Sequence, residues 1–168
     1  MNIKDNAGQD RFVLIHEFNA PKKLVFNAFS NAEALNEWWG PVECKNTVLK
    51  LEFKKGGIFH FKMENDGNVS YGRFLFGDIE PYDLLEFSNA FADAAGNVVP
   101  APFDINLPLE IFYRLVFTES NGKTVITLTG EPLGGTAEQA AALRSIHPDM
   151  QKGFGATFDK LAVYLAKA

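Results

Sequence analysis

The C-terminal segment carries an apolar stripe that fixes the longest element of the fold. Five apolar residues share one helical face: Met150, Phe154, Phe158, Leu161 and Leu165. Their spacings of four, four, three and four residues predict a final α-helix from about Pro148 to Ala166. A helix with one apolar face has to bury that face against another element, so the rest of the chain has to supply an apolar partner for it.

The N-terminal third predicts one strand followed by two short helices. A β-rich apolar run extends from about Arg11 to Phe18. Pro21 suits the first turn of a helix. Ser30 and Glu33 match a capping box, so a second helix is expected to start there and to end at Gly40. Residues 1–10 are polar, without a strand or helix pattern, and are expected to form a flexible tail.

The middle of the chain predicts six more strands. The segment IFHFKME alternates, with Phe59, Phe61 and Met63 on one face. The segments NDGN and SNGK are typical of hairpin turns. Residues 93–109 hold three prolines without a period and are expected to form a long loop. The whole order predicts one α+β domain over residues 11–168, with a mostly antiparallel sheet of about seven strands.

Charge and cysteine content exclude several classes of protein. The net charge is −5 and no basic stripe is present, so nucleic acid and anionic membrane surfaces are not expected partners. The single cysteine, Cys44, cannot form an internal disulfide and is typical of a reducing compartment. The N-terminal segment lacks the apolar region of a signal peptide, and no segment is long and apolar enough to span a membrane. A cytoplasmic location is expected.

No set of residues forms a convincing catalytic centre. His16, His60 and His147 are scattered without ligand spacing, so neither a metal nor another cofactor is expected. His60 alternates with Lys62 and Glu64 and is expected on a solvated face. Fingerprints of phosphate binding, dinucleotide binding and serine hydrolases are missing from the sequence. The sequence therefore does not favour an enzyme.

Three segments together resemble a known family. They are PKKLVFNAFSNAEALNEWWGP, GGIFHFKMENDGNVSYGRFLFGDIEPYDLLEF and MQKGFGATFDKLAVYLAKA. The sequence is similar to the activator of heat-shock protein 90 ATPase homologue-like family, within the START and Bet v 1-like superfamily. The resemblance implies the helix-grip fold, a curved antiparallel sheet wrapped around a long C-terminal helix with an apolar cavity between them. Gly153-Phe154 stands where that family usually has Gly-Trp.

The resemblance and the 16 phenylalanines of the chain suggest the wall of that cavity. Phenylalanine adds apolar area without a polar group, so it suits a pocket wall, although a solid core is the alternative. Eight aromatic residues are the candidate ligand-binding set: Trp38, Trp39, Phe59, Phe61, Phe74, Phe87, Phe154 and Phe158. No residue is assigned a catalytic role.

Six polar residues could orient a ligand, although alternation alone does not say which of them face inward. They are Tyr71, Arg73, Ser88, Asn89, Tyr113 and Arg114. Arg73 and Phe74 are adjacent on one strand, so an inward Phe74 places Arg73 on the outer face.

Three hypotheses for the function remain open. The first is binding of an apolar or amphipathic small molecule, lipid-like or aromatic, in the cavity. The second is an enzyme of the cyclase or dehydratase type that uses the cavity, which predicts a buried titratable group in it. The third is a chaperone-regulating interaction module, which predicts an exposed apolar patch. Chaperone binding is the weaker expectation, because the eukaryotic co-chaperone carries a further N-terminal domain. A homodimer is left open.

Two glycines interrupt the predicted final helix. Gly153 and Gly155 flank Phe154, and each costs about 1 kcal/mol relative to alanine in a helix. Either they allow the helix to approach the sheet closely, or they leave a weak turn that opens the cavity to ligand.

Overall fold

Residues 11–167 are described by a computed structural model, and the predicted tail, residues 1–10, lies outside them. The strands are β1 (Phe12–Phe18), β2 (Lys45–Leu51), β3 (Ile58–Asn65), β4 (Asn68–Glu80), β5 (Leu84–Ala92), β6 (Val98–Val99), β7 (Ile111–Ser120) and β8 (Lys123–Pro132). The helices are α1 (Lys22–Asn27), α2 (Ala32–Trp38), α3 (Ala137–Ser145) and α4 (His147–Lys167).

The strands form one antiparallel sheet in the order β1-β8-β7-β5-β4-β3-β2, and β6 pairs with β5. The first strand therefore lies beside the last one, and β1 and β2 form the two edges of the sheet. Helix α4 packs against β1 and against α2. The predicted α+β architecture, with an antiparallel sheet, two short helices after the first strand and a long C-terminal helix, is confirmed.

Two tight turns set the register of the hairpins. Asp66 and Gly67 have φ of 50° and 82°, and Asn121 and Gly122 have φ of 55° and 76°. Positive φ at both central residues is the mark of type I′ turns, whose twist matches that of the flanking strands. These turns occur in the two segments that the sequence marks as hairpins, and they start the β3–β4 and β7–β8 registers.

The inner face of the sheet is mostly aromatic. Its most completely buried side chains include Phe18, Phe59, Phe87 and Phe117, each exposed by no more than 1%. Phe158 of α4, equally buried, packs on Phe18. The outer face carries ion pairs between neighbouring strands. Arg114 Nε lies 2.8 Å from a Glu86 carboxylate oxygen, across the registered pair of β5 and β7. The sheet thus separates an apolar inner side from a charged outer side.

One local expectation, the capping residue of α2, is wrong. Asn31, not Ser30, caps α2: its side-chain oxygen accepts from the backbone N–H groups of Glu33 and Ala34, whereas the Ser30 hydroxyl donates to the Asn27 carbonyl. Asparagine is at least as good a cap as serine, and it stands one residue closer to the helix.

His60 is not solvated, contrary to expectation. It points to the outer face as alternation predicts, yet it is buried. The turn that follows β5 folds over it, so that His60 Nε2 lies 3.1 Å from the carbonyl oxygen of Asp93. The Asp93 carboxylate in turn accepts hydrogen bonds from Asn97 and, as a smaller contribution, from Ala95, and these bonds lower its pKa. Alternation gives the face of a side chain, but it does not reveal what a distant turn covers.

Candidate functional site

A cavity of about 360 Å³ lies between α4, the inner face of the sheet and the segment 100–110. This volume is at the lower end of the range of small-molecule sites, about 300 to 1,000 Å³. Helix α4 contributes Met150, Gly153 and Phe154 to its wall. Since the lining is almost entirely apolar, the cavity has the character of a site for an apolar molecule.

The segment 100–110 covers one side of the cavity. The predicted loop, residues 93–109, contains the short strand β6, which pairs with the end of β5. Beyond β6, Phe103 lies edge-to-face on Phe91, with ring centroids 5.5 Å apart, and both residues line the cavity. Phe103, Ile105 and Leu109 remain 57%, 43% and 52% exposed. Long ordered loops of this kind are often lids or binding loops.

Three of the eight predicted aromatic residues line the cavity: Trp39, Phe61 and Phe154. The other five lie in the packed core beside it: Trp38, Phe59, Phe74, Phe87 and Phe158, each exposed by no more than 2%. Alternation correctly places the phenylalanines of β3, β4 and β5 on the inner face. However, most of that face is filled by neighbouring rings, such as Phe74 stacked on Phe87 with centroids 3.9 Å apart.

The two adjacent tryptophans have different environments because α2 ends between them. Trp38, the last residue of α2, is fully buried, and its indole N–H donates to the carbonyl of Ala28 at 3.0 Å. Trp39 is extended, with φ −77° and ψ 145°, which turns its ring toward the cavity. Within residues 11–167 the buried indole nitrogen of Trp39 has no hydrogen-bond partner. Trp38 is therefore a core residue and Trp39 a wall residue.

The structure divides the six candidate polar residues between the two faces. Asn89 and Tyr113 line the cavity. The other four belong to the outer face: Tyr71, Arg73, Ser88 and Arg114. Arg73 lies on the face opposite Phe74, as alternation predicts, and its guanidinium is 3.6 Å from a carboxylate oxygen of Glu110.

Tyr113 is held in the cavity wall by a close approach to the neighbouring strand. Its ring lies over Gly130 of β8, where a Cβ atom would stand 2.6 Å from Tyr113 Cε1. Phe154 contacts the ring edge-on, with centroids 5.3 Å apart. Tyr113 is 98% buried by these neighbours, yet its hydroxyl has no hydrogen-bond partner in the described part of the chain. Burial alone raises the pKa of this hydroxyl, which is therefore a neutral hydrogen-bonding group.

The raised pKa of Tyr113 predicts a loss of stability in alkali. In the folded chain the hydroxyl keeps its proton at a pH where the unfolded chain, with an ordinary tyrosine pKa of about 10, releases it. The unfolded state then binds fewer protons, so the free energy of unfolding falls as the pH rises above about 10. Urea unfolding at about pH 9 and about pH 11 is expected to show a smaller loss for Tyr113→Phe than for the unmodified chain. Equal losses in both proteins would show that Tyr113 ionises normally.

A comparison with protein-family models decides the family. The model described as activator of Hsp90 ATPase homolog 1-like protein matches residues 19–166, which is most of the chain. The chain belongs to this family. A comparison with curated proteins finds no match.

Solved structures of other proteins agree in fold. A protein from Arthrobacter aurescens is 25% identical, with a TM-score of 0.76 over 94% of this chain and 87% of that one. A protein from Staphylococcus epidermidis is 23% identical, with a TM-score of 0.77 over 94% and 90%. The AHSA1 protein from Silicibacter pomeroyi is 19% identical, with a TM-score of 0.69 over 93% and 97%. The last two likenesses show the fold alone, and the predicted membership is confirmed by the family match.

The two glycines of α4 have no close neighbours in this family member. A Cβ atom built at Gly153 or at Gly155 meets no heavy atom within 4 Å outside its own helix turn. The account in which they allow a close approach of helix and sheet is therefore wrong. Gly153 lines the cavity and Gly155 does not. The account in which they leave a weak turn that opens the cavity to ligand stays a prediction.

Alanine at either glycine is expected to stabilise the protein. The substitutions Gly153→Ala and Gly155→Ala each gain helix propensity without a clash, by about 0.5 to 1 kcal/mol. Thermal unfolding of the two single variants measures this gain. A loss of stability in either variant would restore the close-packing account. Since Gly153 alone lines the cavity, slower ligand exchange is expected for Gly153→Ala than for Gly155→Ala.

Other reactive groups lie apart from the cavity. Among residues 11–167, no group of three or more His, Cys, Asp or Glu side chains is placed to hold a metal ion. Burial and the charge of Glu43 raise the pKa of the half-buried Cys44 thiol, opposed by Lys160, so this thiol is a weak nucleophile. In the same range, no helix is long and apolar enough to cross a membrane.

Proposed function

We propose that this family member binds an apolar or amphipathic small molecule, lipid-like or aromatic, in the cavity between the sheet and α4. The observation that carries the proposal is the apolar cavity of about 360 Å³, which persists although the chain has 16 phenylalanines available to fill its core. Core side chains normally pack to a density that leaves few voids larger than a water molecule. An unfilled apolar space of this size is therefore best explained by an occupant.

Binding is favoured over catalysis by the chemistry of the wall. The cyclase or dehydratase alternative needs a titratable group in the cavity, and Tyr113 is the one such side chain among the described wall residues. An efficient general acid or base has a pKa near the working pH. Burial moves the pKa of Tyr113 further above that range, so it suits hydrogen bonding better than proton transfer.

A chaperone-regulating role is a second candidate, since the segment 100–110 leaves Phe103, Ile105 and Leu109 exposed. Exposed apolar residues that lie together mark interaction sites. Stimulation of the ATPase activity of a heat-shock protein 90 by the full chain would support this role, provided that Phe103→Ser reduces the stimulation. An ATPase rate that the chain leaves unchanged would remove it.

Native mass spectrometry and thermal unfolding test ligand binding. Protein purified from cells under native conditions is expected to carry a bound small molecule that is released on denaturation. In a screen of fatty acids and aromatic compounds, a true ligand at a hundred times its Kd adds about 2.7 kcal/mol to the free energy of unfolding. This corresponds to a rise in Tm of about 5 to 10 °C for a chain of this size.

A matched pair of variants locates the binding. Gly153→Leu places a side chain at the cavity wall, whereas Gly155→Leu makes the same change on the same helix away from the cavity. The rise in Tm with ligand is expected to shrink in Gly153→Leu and to persist in Gly155→Leu. No rise with any compound, or the same rise in both variants, would contradict the proposal.

A further inference from the structure

The wall of the cavity carries no ionisable side chain other than Tyr113. Within the described residues, none of the residues that line it is Asp, Glu, Lys, Arg or His. Arg73 and Arg114 lie on the outer face and are engaged with Glu110 and Glu86. Lys160 of α4 donates its Nζ proton to the carbonyl of Gly40. A carboxylate held against the buried Tyr113 would therefore lose much of its hydration without gaining a cation, which is costly.

Besides the indole N–H of Trp39, two polar side chains on the inner face of the sheet are left for an occupant. The hydroxyl of Tyr113 and the side-chain amide of Asn89 have no hydrogen-bond partner among residues 11–167, and both line the cavity. Asn89 pairs with Ile111 in the register of β5 and β7, and Tyr113 follows Ile111 by two residues on the same face. Diagonal neighbours of this kind are about 7 to 8 Å apart. Since these distances join Cα atoms, the two side chains project from neighbouring positions of the wall and can contact the same ligand.

The rest of the wall is apolar and largely aromatic. Trp39 and Phe61 stand on one side, and Phe154 and Met150 of α4 on the other. Flat rings gain most from such surroundings, because aromatic pairs add to the energy of area burial. A plain hydrocarbon that fills the cavity would cover the Tyr113 hydroxyl and the Asn89 amide without giving them a partner, which costs free energy. A molecule that supplies an acceptor is therefore favoured.

We propose that the ligand is an uncharged ring compound, aromatic or alicyclic, whose carbonyl or hydroxyl oxygen is bound by Tyr113 and Asn89. This inference rests on the proposed function and narrows the class of ligand. Fatty-acid anions are excluded, and neutral ring compounds are retained. The hydroxyl of Tyr113 donates to the ligand oxygen, and the amide of Asn89 donates a second hydrogen bond when that oxygen is a carbonyl.

Three naphthalene derivatives of nearly equal shape test the proposal. Ethylnaphthalene, acetylnaphthalene and naphthoate, substituted at the same ring position, differ in having no oxygen, a neutral carbonyl and a charged carboxylate. Their Kd values for the full chain are to be measured by isothermal titration at neutral pH. The ketone is expected to bind about threefold to tenfold more tightly than the hydrocarbon. It is expected to bind more than about tenfold more tightly than the carboxylate.

Tyr113→Phe removes the hydroxyl and keeps the ring. This variant is expected to bind ketone and hydrocarbon within about twofold of each other, while the affinity for the hydrocarbon is unchanged. Tyr71→Phe is the matched control, because Tyr71 lies on the outer face beside His60. It is expected to keep the preference for the ketone.

Each outcome decides a different question. If the carboxylate binds as tightly as the ketone, or if Tyr113→Phe keeps the preference for the ketone, this inference is overturned while ligand binding stands. If none of the three compounds binds, the inference falls together with the proposed function for ring compounds. If the hydrocarbon binds and the ketone binds no better, the cavity is a ligand site that does not use Tyr113.

Discussion

Replacing Trp38 by alanine is expected to lower the free energy of unfolding by about 3 to 5 kcal/mol. Trp38 is fully buried where α2, α4 and the sheet meet. Its ring lies edge-to-face on Phe29, with centroids 4.8 Å apart, and contacts Phe158 of α4. The substitution also leaves the buried carbonyl of Ala28 without its hydrogen bond from the indole. Since domains are stable by about 5 to 15 kcal/mol, this loss is a large part of the total.

Urea unfolding of Trp38→Ala beside Val163→Ala measures the effect. Val163 lies on α4 and is 63% exposed, so its substitution is expected to change the stability by no more than about 0.5 kcal/mol. Trp38→Phe is expected to fall between the two, because it keeps much of the ring and loses the hydrogen bond to Ala28. A loss below about 1 kcal/mol for Trp38→Ala would mean that the junction of α2 and α4 is not packed as described.

Gly130→Ala is expected to destabilise the protein by about 1 to 3 kcal/mol and to weaken ligand binding. The new Cβ atom would stand 2.6 Å from Cε1 and 2.9 Å from Cδ1 of Tyr113, closer than such atoms approach in proteins. Since the ring is buried on a rigid sheet, the strain is relieved by pushing it toward the cavity. The variant therefore alters the stability and the cavity together.

A double-mutant cycle separates this clash from any general effect of alanine in β8. In the background of Tyr113→Leu, which removes the ring, Gly130→Ala is expected to change the free energy of unfolding by less than about 0.5 kcal/mol. Urea unfolding of the four proteins gives the coupling energy. The same loss in both backgrounds would show that the ring of Tyr113 does not depend on the glycine.

The sequence predicts well those features that depend on local pattern. The alternation in β3 places Phe59 and Phe61 on the buried face, and the two Asx-Gly turns appear where the hairpins need positive φ. The stripe of the last helix is buried at Phe158, Leu161 and Leu165. In these elements a short segment already contains the information that fixes its structure.

The extent of the cavity depends on contacts between distant segments, and the sequence pattern does not contain them. Phe74 and Phe61 both face inward, yet Phe61 lines the cavity while Phe74 is covered by Phe87 and Trp39. The sequence of the segment 100–110 has no helix or strand periodicity, so its place in the wall of the cavity could not be predicted. His60 shows the same limit on the outer face, where the turn at Asp93 buries it.

The sequence predicted the polar residues of the site only as six candidates, without showing which of them line the cavity. Asn89 and Tyr113 lie on the same inner face as Phe87, on the paired strands β5 and β7. The register that makes Asn89 and Tyr113 diagonal neighbours is visible only in the fold. These two residues could have been identified from the alternation, because each lies an even number of residues from an inward-facing aromatic residue or its strand partner. Trp39 gives no comparable signal, because its orientation follows from the end of α2.

A crystal structure of the full chain grown with ethylnaphthalene tests the central claim most directly, because it shows whether the cavity accepts an apolar molecule and where. The account predicts the probe between Phe61 and Phe154, covered by the segment 100–110. A cavity filled by the protein's own side chains, or a probe bound elsewhere while the cavity stays empty, would contradict it.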